Sequence, residues 1–182
     1  MKTNRWKAFQ YLFVLILSSC TSCNEPDPTV LPAETQSGKN TFGCYVNNKL
    51  FVGGFANLMS PYPFDAWYSK SSNNVTILVD GVINNDFKRG SCSIYLSATF
   101  LKTDSTIQVE KAYCYNINDL YPYYITKNSG EIYFTKLDTI NKIMSGRFQF
   151  TAKSADWNQK NVDNDSIVVT NGRFDLKLTI NN

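Results

Sequence analysis

The chain beyond its first 40 residues alternates. Phe42, Cys44 and Val46 are apolar where Gly43, Tyr45 and Asn47 are not, a two-residue period that turns one side of a strand toward a core. Asn47-Asn48 follows. Asparagine tolerates the left-handed conformation that a tight hairpin demands, so Leu50 to Phe55 reads as the returning strand. Ala66 to Lys70 predicts a short strand and Val75 to Ile83 a β-branched one. Cys92, Ile94, Leu96, Ala98 and Phe100 alternate with Ser93, Tyr95, Ser97 and Thr99, giving one dry face and one wetter one. Thr106 to Val109 and Lys111 to Ile117 are weaker, and a helix of about two turns competes with strand across 104–117. Glu131 to Leu137, Met144 to Lys153 and Ile167 to Thr170 are strands. The last strand leads on through Asn171-Gly172, with Phe174, Leu176, Leu178 and Ile180 on one side. Pro61 and Pro63, Ser71 to Asn74, Asn118 to Pro122 and the polar stretch 154–164 punctuate the series. With no amphipathic helix and no repeat, the pattern predicts an all-β chain: a single antiparallel β-sandwich or barrel-like domain of about nine or ten strands.

The first 23 residues follow another pattern. Lys2, Arg5 and Lys7 precede an apolar run from Ala8 to Leu17 broken only by Gln10, and small residues follow. That is the layout of a secretory signal. The run falls short of the roughly 20 apolar residues that span a bilayer. Leu17-Ser18-Ser19-Cys20 resembles the lipobox of bacterial lipoproteins. The resemblance implies a diacylglyceryl group on the Cys20 thiol, cleavage before Cys20 and acylation of the new amino terminus. Several acyl chains on one residue hold a protein firmly where one holds it marginally. Cys23 is the alternative acceptor, although Cys20 stands where its lipobox would prefer leucine. A cleaved signal without lipid is the competing reading. Residues 24–38 carry three prolines among mostly polar neighbours and read as an extended tether. The expected organisation is a signal peptide at 1–19, a lipidated N-terminus and flexible tether at 20–38, and an antiparallel β domain at 39–182. The expected location is the cell envelope, lipid-anchored at the outer membrane and facing either the periplasm or the outside.

Composition narrows the function. The 182 residues include 18 basic and 15 acidic side chains. Three of the basic ones lie in the signal, so the remainder is balanced at 15 against 15. A balanced domain lacks the basic footprint that nucleic acid requires. Histidine is absent, which removes Ser-His-Asp and Cys-His pairs and lowers the expectation of catalysis. Cys44, Cys92 and Cys114 lie in the domain. In an oxidising compartment two of them could pair, and as buried thiols they would fill small core positions. No CxxC occurs in the domain, and neither a metal nor a cofactor is expected.

Three C-terminal stretches carry a resemblance: Gly130-Glu131-Ile132-Tyr133-Phe134-Thr135-Lys136-Leu137-Asp138, Ser145-Gly146-Arg147-Phe148-Gln149-Phe150-Thr151-Ala152, and Val169-Thr170-Asn171-Gly172-Arg173-Phe174-Asp175. With Asn40 to Asn47 and Lys49 to Val52 near the start, they resemble a family of Bacteroidota lipoproteins known only as a domain of unknown function, numbered 6252. The resemblance covers both ends of the domain but not residues 56–128. It implies an envelope lipoprotein and brings no activity, ligand or catalytic residue with it.

Two aromatic clusters are the candidate binding residues: Tyr62, Phe64, Asp65, Trp67 and Tyr68 in one segment, and Tyr121, Tyr123 and Tyr124 in the other. Exposed rings beside a carboxylate such as Asp65 or Asp119 can stack on sugar faces and accept hydroxyl hydrogen bonds, and loops on a rigid scaffold are where binding residues collect. The same rings could instead cap the core at a sheet edge. Asp156, Asn158, Asp163, Asn164 and Asp165 supply oxygen ligands, but the EF-hand order fails, and a solvated loop is the favoured reading. Asp104-Ser105-Thr106, Asp138-Thr139-Ile140 and Asp165-Ser166-Ile167 resemble Bacteroidota O-glycosylation acceptors, which makes Ser105, Thr139 and Ser166 candidate attachment points. Glu110, Glu131 and Asp138 are the candidates should the protein be an enzyme, since glycoside hydrolysis needs two carboxyls about 5–9 Å apart. The expectation from sequence is a noncatalytic module that binds a glycan or an envelope protein and meets the membrane through its lipid. A structural or assembly component of the envelope is the alternative, and a carboxylate-based hydrolase a further one.

Overall fold

A computed structural model gives the structure of residues 29–54, 63–83, 92–100, 102–116, 122–156 and 161–182, the side chains of 161–164 excepted. The signal, Cys20 and Cys23 lie outside the described residues. Among the described residues eleven strands run in chain order: β1 Thr41–Val46, β2 Lys49–Gly53, β3 Phe64–Ser69, β4 Asn74–Ile83, β5 Cys92–Thr99, β6 Thr106–Gln108, β7 Lys111–Asn116, β8 Tyr123–Asp138, β9 Ile143–Ala155, β10 Asn161–Lys177 and β11 Thr179–Asn181. Eight of them close a ring in the order β4-β2-β1-β10-β9-β8-β7-β5, with β5 pairing back onto β4. Every pairing in that ring is antiparallel. Of the two architectures expected, the pairing path is that of a barrel, which leaves no free edge in the ring.

The extra strands patch its rim. β3 pairs with the first part of β4, where β2 does not reach, and β11 lies parallel on β3. β6 pairs with β8 at Glu131 to Tyr133, where β7 has moved away. The two weak segments therefore give strands, β6 and β7, rather than a helix, with Ile117 outside the described residues: Ile107, Val109, Ala112 and Cys114 are buried while Lys111 is exposed, an alternation that serves a sheet. β8, β9 and β10 also run further than the pattern predicts. Asn161 pairs with Ala155 inside the stretch read as polar loop, and the ladder continues through Asn171 with a register shift between Val169 and Gly172. The Asn47-Asn48 turn is as expected, with φ of 47° and 64°.

An eight-stranded barrel is just wide enough for side chains to fill. Here phenylalanine does much of the filling. Phe51, Phe42, Phe148, Phe174, Phe134 and Phe100 make a continuous series of ring contacts at 4.9–6.4 Å, and Tyr68 meets Phe100 at its end. Cys44, Cys92 and Cys114 occupy inner positions on β1, β5 and β7, all buried and none of them in a disulfide. The Cys92 and Cys114 sulfurs lie 3.4 Å apart.

Part of the stretch read as flexible tether lies along the barrel. Residues 31–38 form an extended strap over β1, β9 and β10. Its fixed point is Asp175, 1% exposed. The Asp175 carboxylate accepts from Thr35 Oγ1 at 2.5 Å, from the amides of Ser37, Gly38 and Lys39 at 3.1, 2.8 and 3.2 Å, and from Ser145 Oγ at 2.7 Å. Burial by itself would push this carboxyl up, but the hydroxyls of Thr35 and Ser145 and the amides of Gly38 and Lys39 outweigh it and hold the group below its ordinary value.

Candidate functional site

The two aromatic clusters do not converge. Phe64, Asp65, Trp67 and Tyr68 lie on β3, and Tyr123 and Tyr124 open β8; on the path through β4, β5 and β7 three strands stand between them. Tyr62 and Tyr121 lie outside the described residues, as does Asp119. Phe64, Tyr68 and Tyr123 pack against the core. The hydroxyl of Tyr68 donates to Asn73 and that of Tyr123 to Asp165, so these rings cap the sheet with their polar ends satisfied. Trp67 is half-buried and Asp65 exposed.

Tyr124 belongs to a different constellation. It sits directly opposite Tyr113 on β7, and Tyr113 sits directly opposite Tyr95 on β5. The alternation that turns Ile94, Leu96 and Cys114 inward turns all three tyrosines outward. Tyr95 and Tyr113 stack at 4.9 Å with ring planes 4° apart, and Tyr124 follows at 6.1 Å, tilted by 59°. Cross-strand rings of this kind are the strongest side-chain contacts that a sheet surface offers.

Beside this row the ladder opens. Among the described residues β7 and β8 pair at Tyr113 and Cys114, and β8 then arches away. Ile125 pairs with Ala152 and Gly130 with Phe150, so the arch between them holds four residues that face no partner on β9. Ser129 Oγ ties the arch down at 2.7 Å to the carbonyls of Thr126 and Thr151, and Asn128 takes a φ of 59°. The opening between β7 and β8 is a groove of about 330 Å³. Ala112 and Ile125 give it an apolar lining, Tyr95, Tyr113 and Tyr124 wall it, and Glu110 and Lys111 stand at its rim. Burial raises the Tyr113 hydroxyl above its ordinary pKa, helped by Tyr95, Tyr124 and Asp80. Burial and then Asp156 do the same for Tyr124. Both hydroxyls therefore stay protonated at neutral pH and can donate. A ring with an apolar face and hydroxyls around its edge fits such a groove: its face lies on the tyrosines while its hydroxyls meet the rim carboxylate, ammonium and phenols.

The remaining candidates lie elsewhere. Glu110 accepts from the amide and hydroxyl of Thr99. Glu131, on the outer face of β8, accepts from Gln149 Nε2. Asp138 closes the β8–β9 turn, accepting from the amides of Asn141 and Ile140 at 2.8 and 3.1 Å and from Asn141 Nδ2 at 2.8 Å, and these bonds hold its carboxyl below the ordinary value. Glu110 and Glu131 thus tie neighbouring strands together, and Asp138 serves its own turn. Thr139 and Ser166 are exposed, while Ser105 is half-buried with its hydroxyl bonded to the Lys102 carbonyl at 2.9 Å. Of the proposed oxygen-ligand loop, Asn158 and the side chains of Asp163 and Asn164 lie outside the described residues; Asp165 receives the Tyr123 hydroxyl.

Sequence reasoning missed Tyr95 and Tyr113. Each stands on the wet face of an alternating strand, which was visible, but only the β5–β7–β8 register places them side by side with Tyr124. Compared with protein-family models, with curated proteins and with solved structures, the chain matches none of them.

Proposed function

We propose that the protein is a lipid-anchored component of the bacterial cell envelope whose barrel is a noncatalytic binding module, and that the groove between β7 and β8 takes a saccharide. The observation that carries this reading is the row Tyr95–Tyr113–Tyr124 beside an opening with apolar lining. The described β7–β8 pairing stops at Tyr113–Tyr124, which leaves Ala112 and Ile125 lining the opening. The lipobox-like Leu17-Ser18-Ser19-Cys20 supplies the anchor in this reading, and the resemblance to a Bacteroidota lipoprotein family supplies the setting.

Calorimetric titration of the purified protein with neutral oligosaccharides tests it. A bound sugar whose affinity falls about tenfold in Tyr113→Ala, the equivalent of about 1.4 kcal/mol, is the expected result. A set of neutral sugars that gives no heat, or binding that Tyr113→Ala leaves unchanged, overturns it. Palmitate labelling in the native host that survives Cys23→Ser and is lost in Cys20→Ser is expected for the anchor. The exposed hydroxyls of Thr139 and Ser166 make O-glycans carried by the protein part of the same reading; an intact mass equal to lipid plus polypeptide alone removes that part.

A further inference from the structure

Arg147 and Arg173 are register partners on β9 and β10, two cations directly opposite each other on the outer face of the barrel. Like charges in that position repel, so an anion has to stand between them. The anion is Glu34 of the strap: its Oε2 accepts from Arg147 Nε at 2.9 Å and NH2 at 2.6 Å, and Arg173 also acts on its charge. Arg173 gives NH1 to the Pro32 carbonyl at 3.1 Å, while its Nε is buried without a partner. Around the pair is a groove of about 280 Å³ whose other polar lining includes Thr106, Gln149 and Asn171. The strap segment that covers it ends just before Thr35, where the Asp175 bonds begin. Residues 31–34 can therefore lift as an arm while 35–39 stay pinned.

We propose that the Arg147–Arg173 pair is a second binding site, for the carboxylate of an acidic saccharide, and that Glu34 occupies the place of that carboxylate as a displaceable internal stand-in. The guanidinium forks suit a planar carboxylate. Lifting the arm frees both Arg147 donors and uncovers the orphaned Nε of Arg173 at once. Asn171 and Thr106 are then available to sugar hydroxyls, while Gln149 donates to Glu131, the other acid in the groove. The site is separate from the tyrosine groove and does not depend on it.

The test is titration of the full-length protein with trigalacturonate, with a neutral galactose trimer and with inorganic phosphate. Trigalacturonate is expected to bind, to bind about tenfold more tightly to Glu34→Gln, and to be lost in Arg147→Gln when circular dichroism shows the barrel intact. Glu34→Gln removes the competitor without touching the barrel, so it reads the site even where an arginine variant fails to fold. No trigalacturonate binding by Glu34→Gln overturns the site. Binding of phosphate, or of the neutral trimer by Tyr113→Ala, at a strength equal to that of trigalacturonate overturns the carboxylate specificity. Affinity unchanged by Glu34→Gln overturns the role of the strap. The neutral-sugar titration of Tyr113→Ala reads the other groove, so either proposal can fail alone.

Discussion

Two of the grooves on the barrel, about 330 Å³ and 280 Å³, are similar in size and differ in what the chain does over them. At β5–β7–β8 the ladder opens and the described chain lays nothing across the gap. At β8–β9–β10 the chain comes back upon itself, and Glu34 and Pro32 of the strap meet Arg147 and Arg173 beneath them. A closed barrel hides its apolar residues and has no sheet edge to offer. Recognition then has to be built where the ladder is irregular or where an added segment can leave. The first groove is of the former kind and the second of the latter. The open one is braced by rings and is ready for a ligand. The covered one has first to exchange one carboxylate for another.

The comparison breaks most severely at Asp175. In Asp175→Ala, four strap donors (the Thr35 hydroxyl and the amides of Ser37, Gly38 and Lys39) and the Ser145 hydroxyl lose a charged acceptor inside the protein. Hydrogen bonds to charged groups contribute about 1.5–3 kcal/mol each, and the surroundings recover part of that, so a loss of about 3–5 kcal/mol is expected in chemical denaturation. The tyrosine groove should keep its affinity in whatever fraction stays folded. The carboxyl also sets a pH limit. Its folded pKa is depressed, so its contribution is fully present above the ordinary value of about 3.8 and is lost as pH falls through the folded value. Protection of the Gly38 and Lys39 amides against hydrogen exchange should therefore hold at pH 5 and fail only below about pH 3.8. Loss of protection near pH 6 would sink the assignment of Asp175 as the pin.

A smaller effect sharpens the rigid half. Cys92 on β5 and Cys114 on β7 lie behind the strands that carry Tyr95 and Tyr113, with their sulfurs 3.4 Å apart. A disulfide oxidant of the envelope would take two electrons from this pair; the two thiols would lose their protons and one S–S bond would form. Cys44 is expected to remain a thiol, since burial, and then Cys114, push its pKa well above the ordinary value and suppress the reactive thiolate. Closing a loop of this length contributes about 3 kcal/mol. Peptide mapping of the protein purified from its native host should find Cys92 joined to Cys114, and reduction should lower the melting temperature. A map with both thiols free, or with Cys44 in the bridge, contradicts the expectation.

Much of this architecture was legible in the chain, and the reason is the period of two. Phe42-Cys44-Val46 and Phe174-Leu176 declared their inner faces because the ring has only one inside, and Asn47-Asn48 declared its turn because both residues must take positive φ. The segment 104–117 was ambiguous because its strands are short: β6 has three residues, too few for any alternation to show. The sites were far less legible. A site made by register depends on which residue of one strand faces which of the next, and nothing local to Tyr95 or Tyr113 encodes that. Polar, proline-containing composition made residues 31–38 look like free tether, but the strap is held by backbone amides converging on one carboxylate 136 or more residues away in sequence.

The mildest perturbation separates the two grooves most cleanly. Gly43 on β1 lies beneath the strap, and a Cβ built there would stand 2.5 Å from Pro32 Cδ and 3.1 Å from Leu31 Cδ1. A proline ring cannot fold out of the way, so in Gly43→Ala the strap arm has to rise. The barrel has no reason to follow, because Gly43 keeps its ladder partners Val52 and Arg173 and its conformation lies outside the left-handed region. The expected cost is about 1 kcal/mol or less, the scale of a surface rearrangement that leaves the core alone. The expected gain is local: limited proteolysis should cut within 31–34 several times faster than in the wild type, while Thr35 to Lys39 stay protected by Asp175. Trigalacturonate affinity should rise with it, and neutral-sugar binding at the tyrosine row should not move. Faster cutting with unchanged acid affinity would mean that the arm covers nothing a ligand uses. Altered binding at both grooves together would mean that the two faces of the barrel are coupled through β8, the strand they share.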